Sequence, residues 1–97
     1  MHYNFKWDPT KAKQNIRKHK ISFERAAMIF HDPYMISVFD DEHSQKEDRW
    51  ITIGRNSNGI LLVVSHTFHE TDTSLSNIRI ISARKAVKHE RKQYEGY

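Results

Sequence analysis

The chain has 97 residues, 37% hydrophobic and 29% charged, with a formal net charge of +4. That length makes one domain, residues 1–97, around a single modest core, and the composition is that of a globular rather than a disordered protein. Zero Cys excludes disulfides and thiolate chemistry, and no apolar run approaches the roughly 20 residues of a membrane span.

Tyr3 to Trp7 is a short alternating segment that predicts a strand. Asp8-Pro9 predicts a helix start, with Asp8 as the N-cap and Pro9 where a missing N–H costs nothing. Trp7 and Ala12 are spaced as a hydrophobic staple. This first helix runs to about Lys20, with Ala12, Ile16 and His19 on one face, and Lys11, Lys13, Arg17, Lys18 and Lys20 make it strongly basic. Ser22 caps a second helix through Phe30, whose Phe23, Ala26, Ala27 and Phe30 fall at the spacing of a buried stripe. Asp32-Pro33 stops it. Tyr34 to Phe39 is the next strand, and the acidic loop Asp40 to Gln45 follows. Glu47 to Arg55 alternates, with Glu47, Arg49, Ile51, Ile53 and Arg55 on one face and Asp48, Trp50 and Thr52 on the other.

Asn56-Ser57-Asn58-Gly59 predicts a hairpin turn. Ile60 to Val64 is almost continuously apolar, as in a central strand covered on both faces. A polar loop from Glu70 to Ser76 leads to the strand Asn77 to Ile81. Ser82 is read as the cap of a last helix that carries Ala83, Ala86, Val87, Glu90 and Tyr94 along one side, with Tyr94 to Tyr97 fraying. The order β-α-α-β-β-β-β-α predicts an α+β fold in which two helices pack on an antiparallel sheet. The expected core includes Ile16, Phe23, Ala27, Phe30, Leu62, Val64 and Ile80.

Charge is distributed unevenly. Residues 1–30 carry seven Lys/Arg against two acids, residues 31–48 six acids against Lys46, and residues 49–97 eight Lys/Arg against four acids. Basic ends that fold together would make a surface suited to phosphate backbones; solvated helix faces are the simpler reading of the same pattern. Met1 to Asn4 begins folded-looking sequence with no signal-like apolar stretch, so a cytoplasmic location is expected.

Five blocks together resemble the BrnT family of toxins. They are Trp7-Asp8-Pro9-x-Lys11-Ala12; Asn15-x-x-Lys18-His19-x-Ile21-x-Phe23-Glu24-x-Ala26; Phe30-x-Asp32-Pro33; Glu47-x-Arg49-x-x-x-Ile53-Gly54; and Arg79-Ile80-Ile81-Ser82-Ala83-Arg84-x-Ala86. The resemblance runs from about Trp7 to Tyr94, while the segment Thr67 to Ser76 is longer than the family pattern. It implies a RelE-like fold and an endoribonuclease that halts translation. It also implies neutralisation by a BrnA-type antitoxin with a DNA-binding domain, through which alone operator DNA would be reached.

RNA cleavage without a metal requires deprotonation of the 2′-hydroxyl, stabilisation of the phosphorane charge and protonation of the leaving oxygen. Arg79 alternates with Ile78 and Ile80 on an apolar strand, so it must reach solvent, a ligand, or a carboxylate such as Glu47 or Glu90. Arg84 and Ser82 at a helix start would hold a phosphate, although Ser82 is also a plain cap. Glu47 and Arg49 share a strand face and either enter one site or form a surface ion pair. Lys18-His19 ends the first helix, and His19 is a general acid–base candidate or a half-buried structural histidine. Arg79 and Arg84 are therefore the pair expected to stabilise the transition-state phosphate, with Glu47, Arg49 and His19 as supporting catalytic candidates; Lys11, Arg17, Lys18, Ser82 and Trp50 are the RNA-binding candidates. Trp50, Phe68 and Tyr94 either stack on bases or pack in the core. His66 lies on a core face or a groove edge. His66 and His69, at i and i+3 of a strand, point to opposite faces, so neither a metal nor a cofactor is expected. A non-catalytic RNA- or DNA-binding module, or a chain that only holds its antitoxin, is the rival reading of the same residues.

Overall fold

The computed structural model describes residues 2–71 and 74–96. Within them lie β1 (His2–Lys6), α1 (Pro9–His19), α2 (Phe23–Ala27), β2 (Ile36–Phe39), β3 (Trp50–Arg55), β4 (Leu61–His66), β5 (His69–Glu70), β6 (Leu75–Lys85) and α3 (Lys88–Glu95). Short 3-10 turns occupy Met28–His31 and Asp41–His43. The sheet order is β1-β6-β4-β3-β2, with β5 added to β6, and every pairing is antiparallel except β1 with β6. The α+β expectation holds, with two N-terminal helices on one face of the sheet and a helix closing the chain.

Local chemistry explains most of the elements. The Asp8 carboxylate accepts the Thr10 N–H at 2.8 Å and Pro9 opens α1. The helix ends at Lys20, which is left-handed (φ 63°) and donates its N–H to Ile16 O at 2.9 Å. Ser22 accepts the Arg25 N–H at 3.2 Å to start α2. The predicted helix does not continue to Phe30: after Ala27 the chain tightens into the 3-10 turn, which seats Ile29 and Phe30 in the core. Gly54 of β3 passes close beneath that turn, where an added Cβ would stand 3.1 Å from Ile29 Cβ.

The main core lies between the helices and one face of the sheet, where Ile21, Phe23, Ala26, Ile29 and Phe30 meet Leu62, Val64, Ile78, Ile80 and Ala83. Ile16 does not join them. It is 46% exposed, whereas its neighbour Asn15 is 5% exposed. The reason is how α1 sits. The outer edge of β6 is paired by β1 only from Leu75 to Arg79. At Ala83 the Asn15 side chain takes the place of the missing strand, accepting the Ala83 N–H at 3.0 Å and donating to Ala83 O at 2.9 Å. The same amide nitrogen donates to Ile21 O at 2.9 Å, which ties down the link between α1 and α2.

Four further features differ from expectation. The strand predicted from Glu47 begins at Trp50, and the one predicted from Tyr34 begins at Ile36. The expected loop from Glu70 to Ser76 carries the short β5 pairing at its start, and its residues 72 and 73 lie outside the described residues. Tyr94 is not frayed: its hydroxyl donates to the Asp32 carboxylate at 2.6 Å, although Tyr97 lies outside the described residues. Asp32 also accepts the Arg55 N–H at 2.7 Å and the Tyr34 N–H at 2.9 Å, so the Asp-Pro turn binds β3 and α3 together.

Asn15→Ala leaves the buried Ala83 N–H and two carbonyls without partners, and should destabilise the fold by about 3 kcal/mol. The midpoint and slope of urea unfolding measure this.

Candidate functional site

The face of the sheet away from α1 and α2 is covered only at one end. There Ile53, Leu61 and Val63 pack with Ala86 and Tyr94, bringing α3 over the sheet. The remainder of this face is open, and β6 decides what stands on it. Ser65 pairs with Ser82 but His66 pairs with Ile80, so Ile81 is an extra residue in the ladder, a β-bulge. Strict alternation from Ile78 and Ile80 would send Arg84 towards the helices. The bulge restores Ala83 to the core and turns Ser82 and Arg84 to the open face, the face on which Arg79 stands.

This arrangement corrects the expected helix start. Ser82 caps nothing, because β6 runs on to Lys85 and α3 begins at Lys88 behind Val87. Ser82 is not at a helix start, and Arg84 meets the first turn of α3 only through the Glu90 carboxylate, so the dipole cradle expected there does not form. In its place is a cavity of about 280 Å³ on the open face. Ile51, Val63 and Ile81 line its apolar part, and Arg49, Arg84, Ser65, Ser82, Asp40 and His43 supply its polar groups.

The arginines are held by carboxylates. Arg84 forms a bidentate pair with Glu90, at 2.8 Å from Nη1 to Oε1 and 2.7 Å from Nη2 to Oε2. Glu90 also accepts the Val87 N–H at 2.9 Å, which fastens Arg84 to the first turn of α3. Hydrogen bonding to Arg84, opposed by burial, holds the Glu90 carboxyl below the usual carboxylate range, and the same pair raises the guanidinium further. Glu47 is hydrogen-bonded and ion-paired to Arg79, and lies 3.7 Å from Arg49. The Arg79 hydrogen bond keeps Glu47 ionised to lower pH than usual. Of the alternatives for Arg79, the ion pair with Glu47 is the one that forms, and Arg79 stands at an exposed position of β6. Arg49 differs from both. Its Nε is, among the described residues, a buried side-chain nitrogen with no hydrogen-bond partner.

A second groove runs along α1 and is lined by Lys11, Gln14, Asn15, Lys18 and His19. It shares Ile81 and Ser82 with the arginine cavity, so the two are contiguous across the bulge. Arg49, Arg84 and Ser82 are thus brought together, with Lys11, Lys18 and the half-buried His19 beside them. Arg17 is exposed and lines neither. Trp50 lies on the other side of the sheet, in an apolar cavity of about 420 Å³ walled also by Tyr3, Phe30 and Phe68.

A family profile described as the ribonuclease toxin BrnT of type II toxin–antitoxin systems matches residues 7–90. The chain belongs to the BrnT family. The crystal structure of the ribonuclease toxin BrnT of Brucella abortus is similar in fold, with a TM-score of 0.60 and 21% sequence identity, over 91% of this chain and 100% of that one. No curated protein matches the sequence. No helix among the described residues is long and apolar enough to cross a membrane.

In this BrnT-family chain, the residues that sequence reasoning passed over are His43, Asp40 and Ser65. His43 and Asp40 sat in a stretch read only as an acidic loop. That loop is in fact stapled, with the Ser44 hydroxyl accepting the Arg49 N–H at 3.0 Å and Asp40 N–H donating to Arg49 O at 2.9 Å. The one available signal was a His among acids just before the Glu47-x-Arg49 block.

His66 settles on the core side, 2% exposed. Its Nδ1 is 3.0 Å from Thr67 O and its Nε2 is 2.6 Å from the Thr52 hydroxyl, whose oxygen lies 2.7 Å from Ser37 Oγ. A carbonyl only accepts, so Nδ1 carries the proton and Thr52 donates to Nε2, the bonding of a neutral ring. Burial lowers its pKa from 6.5. The unfolded chain therefore binds this proton more readily, and stability should be full above about pH 6.5 and fall as the pH drops below it. Thermal melts from pH 7.5 to 5 should show that fall, and His66→Gln should flatten it.

Proposed function

We propose that this BrnT-family chain is a metal-independent endoribonuclease that cleaves RNA in the cytoplasm and so blocks translation. The observation that carries the reading is the cavity that brings Arg49 and Arg84 together. A guanidinium offers planar paired donors that match phosphate oxygens. Arg49 and Arg84 stabilise the phosphorane, with Ser82 beside them. Lys11 and Lys18 grip flanking phosphates along the α1 groove. Glu47 fixes Arg79 and draws Arg49 towards the cavity mouth, and Arg79 meets the strand where it leaves the site. A phosphate-sized anion fits about 280 Å³ of space.

Type II membership implies an antitoxin, and we infer one of the BrnA type, with its own DNA-binding domain. Its contact segment is acidic where it covers the α1 groove and the arginine cavity, since opposite charge speeds capture and masks the residues RNA needs.

The deciding experiment is induced expression with and without that partner, followed by mapping of RNA 5′ ends. Growth arrest with discrete new ends is expected, and binding without cleavage would make the chain a nucleic-acid-binding module. Cleavage by the purified protein should persist in EDTA. Arg49→Ala should lower the cleavage rate about 10²–10³-fold while the melting temperature holds. Arg49→Lys should recover only part, because a point charge lacks the paired donors. Arg79→Ala should cost less than Arg49→Ala.

A further inference from the structure

The arginines of the cavity account for phosphate binding but move no proton, whereas an imidazole in its wall can. His43 ends the 3-10 turn Asp41–His43, and its side chain is 62% exposed towards the cavity mouth. Its Nδ1 lies 2.9 Å from Asp40 Oδ2, whose carboxylate is 10% exposed. The carboxylate accepts, so Nδ1 donates and the lone pair is left on Nε2. Two bonds hold the turn in place: the Ser44 hydroxyl and the Asp40 N–H each bind the Arg49 backbone, so His43 and Arg49 are carried on one unit. The charged groups that line the cavity with His43 are Asp40 of its own segment, Arg49 before β3, and Arg84 of β6, and Asp41 and Glu42 precede it in its turn.

The other proton carriers are spent or misplaced. Glu47 is paired with Arg79 and does not line the cavity. His66 has both nitrogens engaged on the opposite side of the sheet. His19 has no carboxylate partner among the described residues and lies in the α1 groove.

We propose that His43 is the general base of RNA cleavage, with Asp40 as the residue that positions its ring. This rests on the ribonuclease reading above. His43 Nε2 takes the 2′-hydroxyl proton as O2′ bonds to phosphorus. Arg49 and Arg84 hold the non-bridging oxygens, and the P–O5′ bond breaks with its electron pair on O5′. That oxygen takes a proton from water, and the resulting hydroxide takes the proton back from His43. The products are a 2′,3′-cyclic phosphate and a 5′-hydroxyl end.

The test uses the purified full chain and a labelled single-stranded RNA. His43→Ala should lower kcat about 10²–10⁴-fold with KM unchanged, and His43→Gln should do the same. Asp40→Asn should lower kcat without raising KM. The Asp40→Asn/His43→Ala double variant should lose no more than His43→Ala alone, because a positioning residue has nothing left to position. Undiminished kcat in both His43 variants, or additive losses in the double variant, overturns the proposal while leaving the ribonuclease reading intact. A wild-type chain that leaves RNA uncut overturns both.

Discussion

The Asn15 amide sets the geometry on which the other elements depend. A strand edge at Ala83 needs one donor and one acceptor, and a primary amide supplies both in a single plane. By lying along that edge, α1 extends the sheet with a side chain instead of a strand, and the remaining amide hydrogen reaches Ile21 O. This one residue therefore fixes the helix against β6, the turn into α2, and the seat of Phe23 and Ala26 in the core. It also brings Lys11 and Lys18 next to Ser82. A buried polar group of this kind is costly when half satisfied and specific when complete, and here every donor and acceptor of the amide is used.

Charge is organised differently from what the segment totals suggest. The basic ends do not simply merge into one positive surface, because the acidic middle folds back among them. Glu47 reaches Arg79, Asp40 reaches His43, and Asp32 accepts from the Arg55 backbone and Tyr94. From β6 to the 40–49 loop the open face thus alternates cations with anions, an arrangement that selects orientation more than it selects raw affinity. The partly exposed pairs contribute little to stability. Their consequence is geometric, since each arginine is presented in a defined pose rather than as a waving chain.

Much of this was legible in the sequence. Asp8-Pro9, Ser22, the apolar run after Gly59 and the family blocks all mark real features, and the residues singled out as Arg49, Arg84 and Ser82 line one cavity. What was not legible had two physical sources. Ser-Ala-Arg-x-Ala carries helix-favouring residues after a plausible cap, and only the tertiary pairing with β4 keeps Ser82 to Lys85 extended. Hydrophobic periodicity pointed Ile16 inward, whereas the unpaired edge at Ala83 rewards burial of an amide more than of a methyl group. The role of Asp40 and His43 could not be read from spacing, because their closeness to Arg49 comes from a stapled loop rather than from a regular repeat.

The extra residue at Ile81 makes β6 a strand with two phases. Before it, the chain builds a hydrophobic wall with β1; after it, the same alternation is resumed one step out of step. Ser82 and Arg84 on the open face take no part in the main core, so packing beneath the helices does not dictate their kind. Register is another matter. Pairing Ile81 itself with Ser65, with no residue left over, would swap inside for outside along the rest of the strand, burying a guanidinium beneath the helices and showing solvent an alanine. The strand is thus tolerant in spelling and strict in metre, and its reading frame in space is what keeps Arg84 on the face it shares with Arg79.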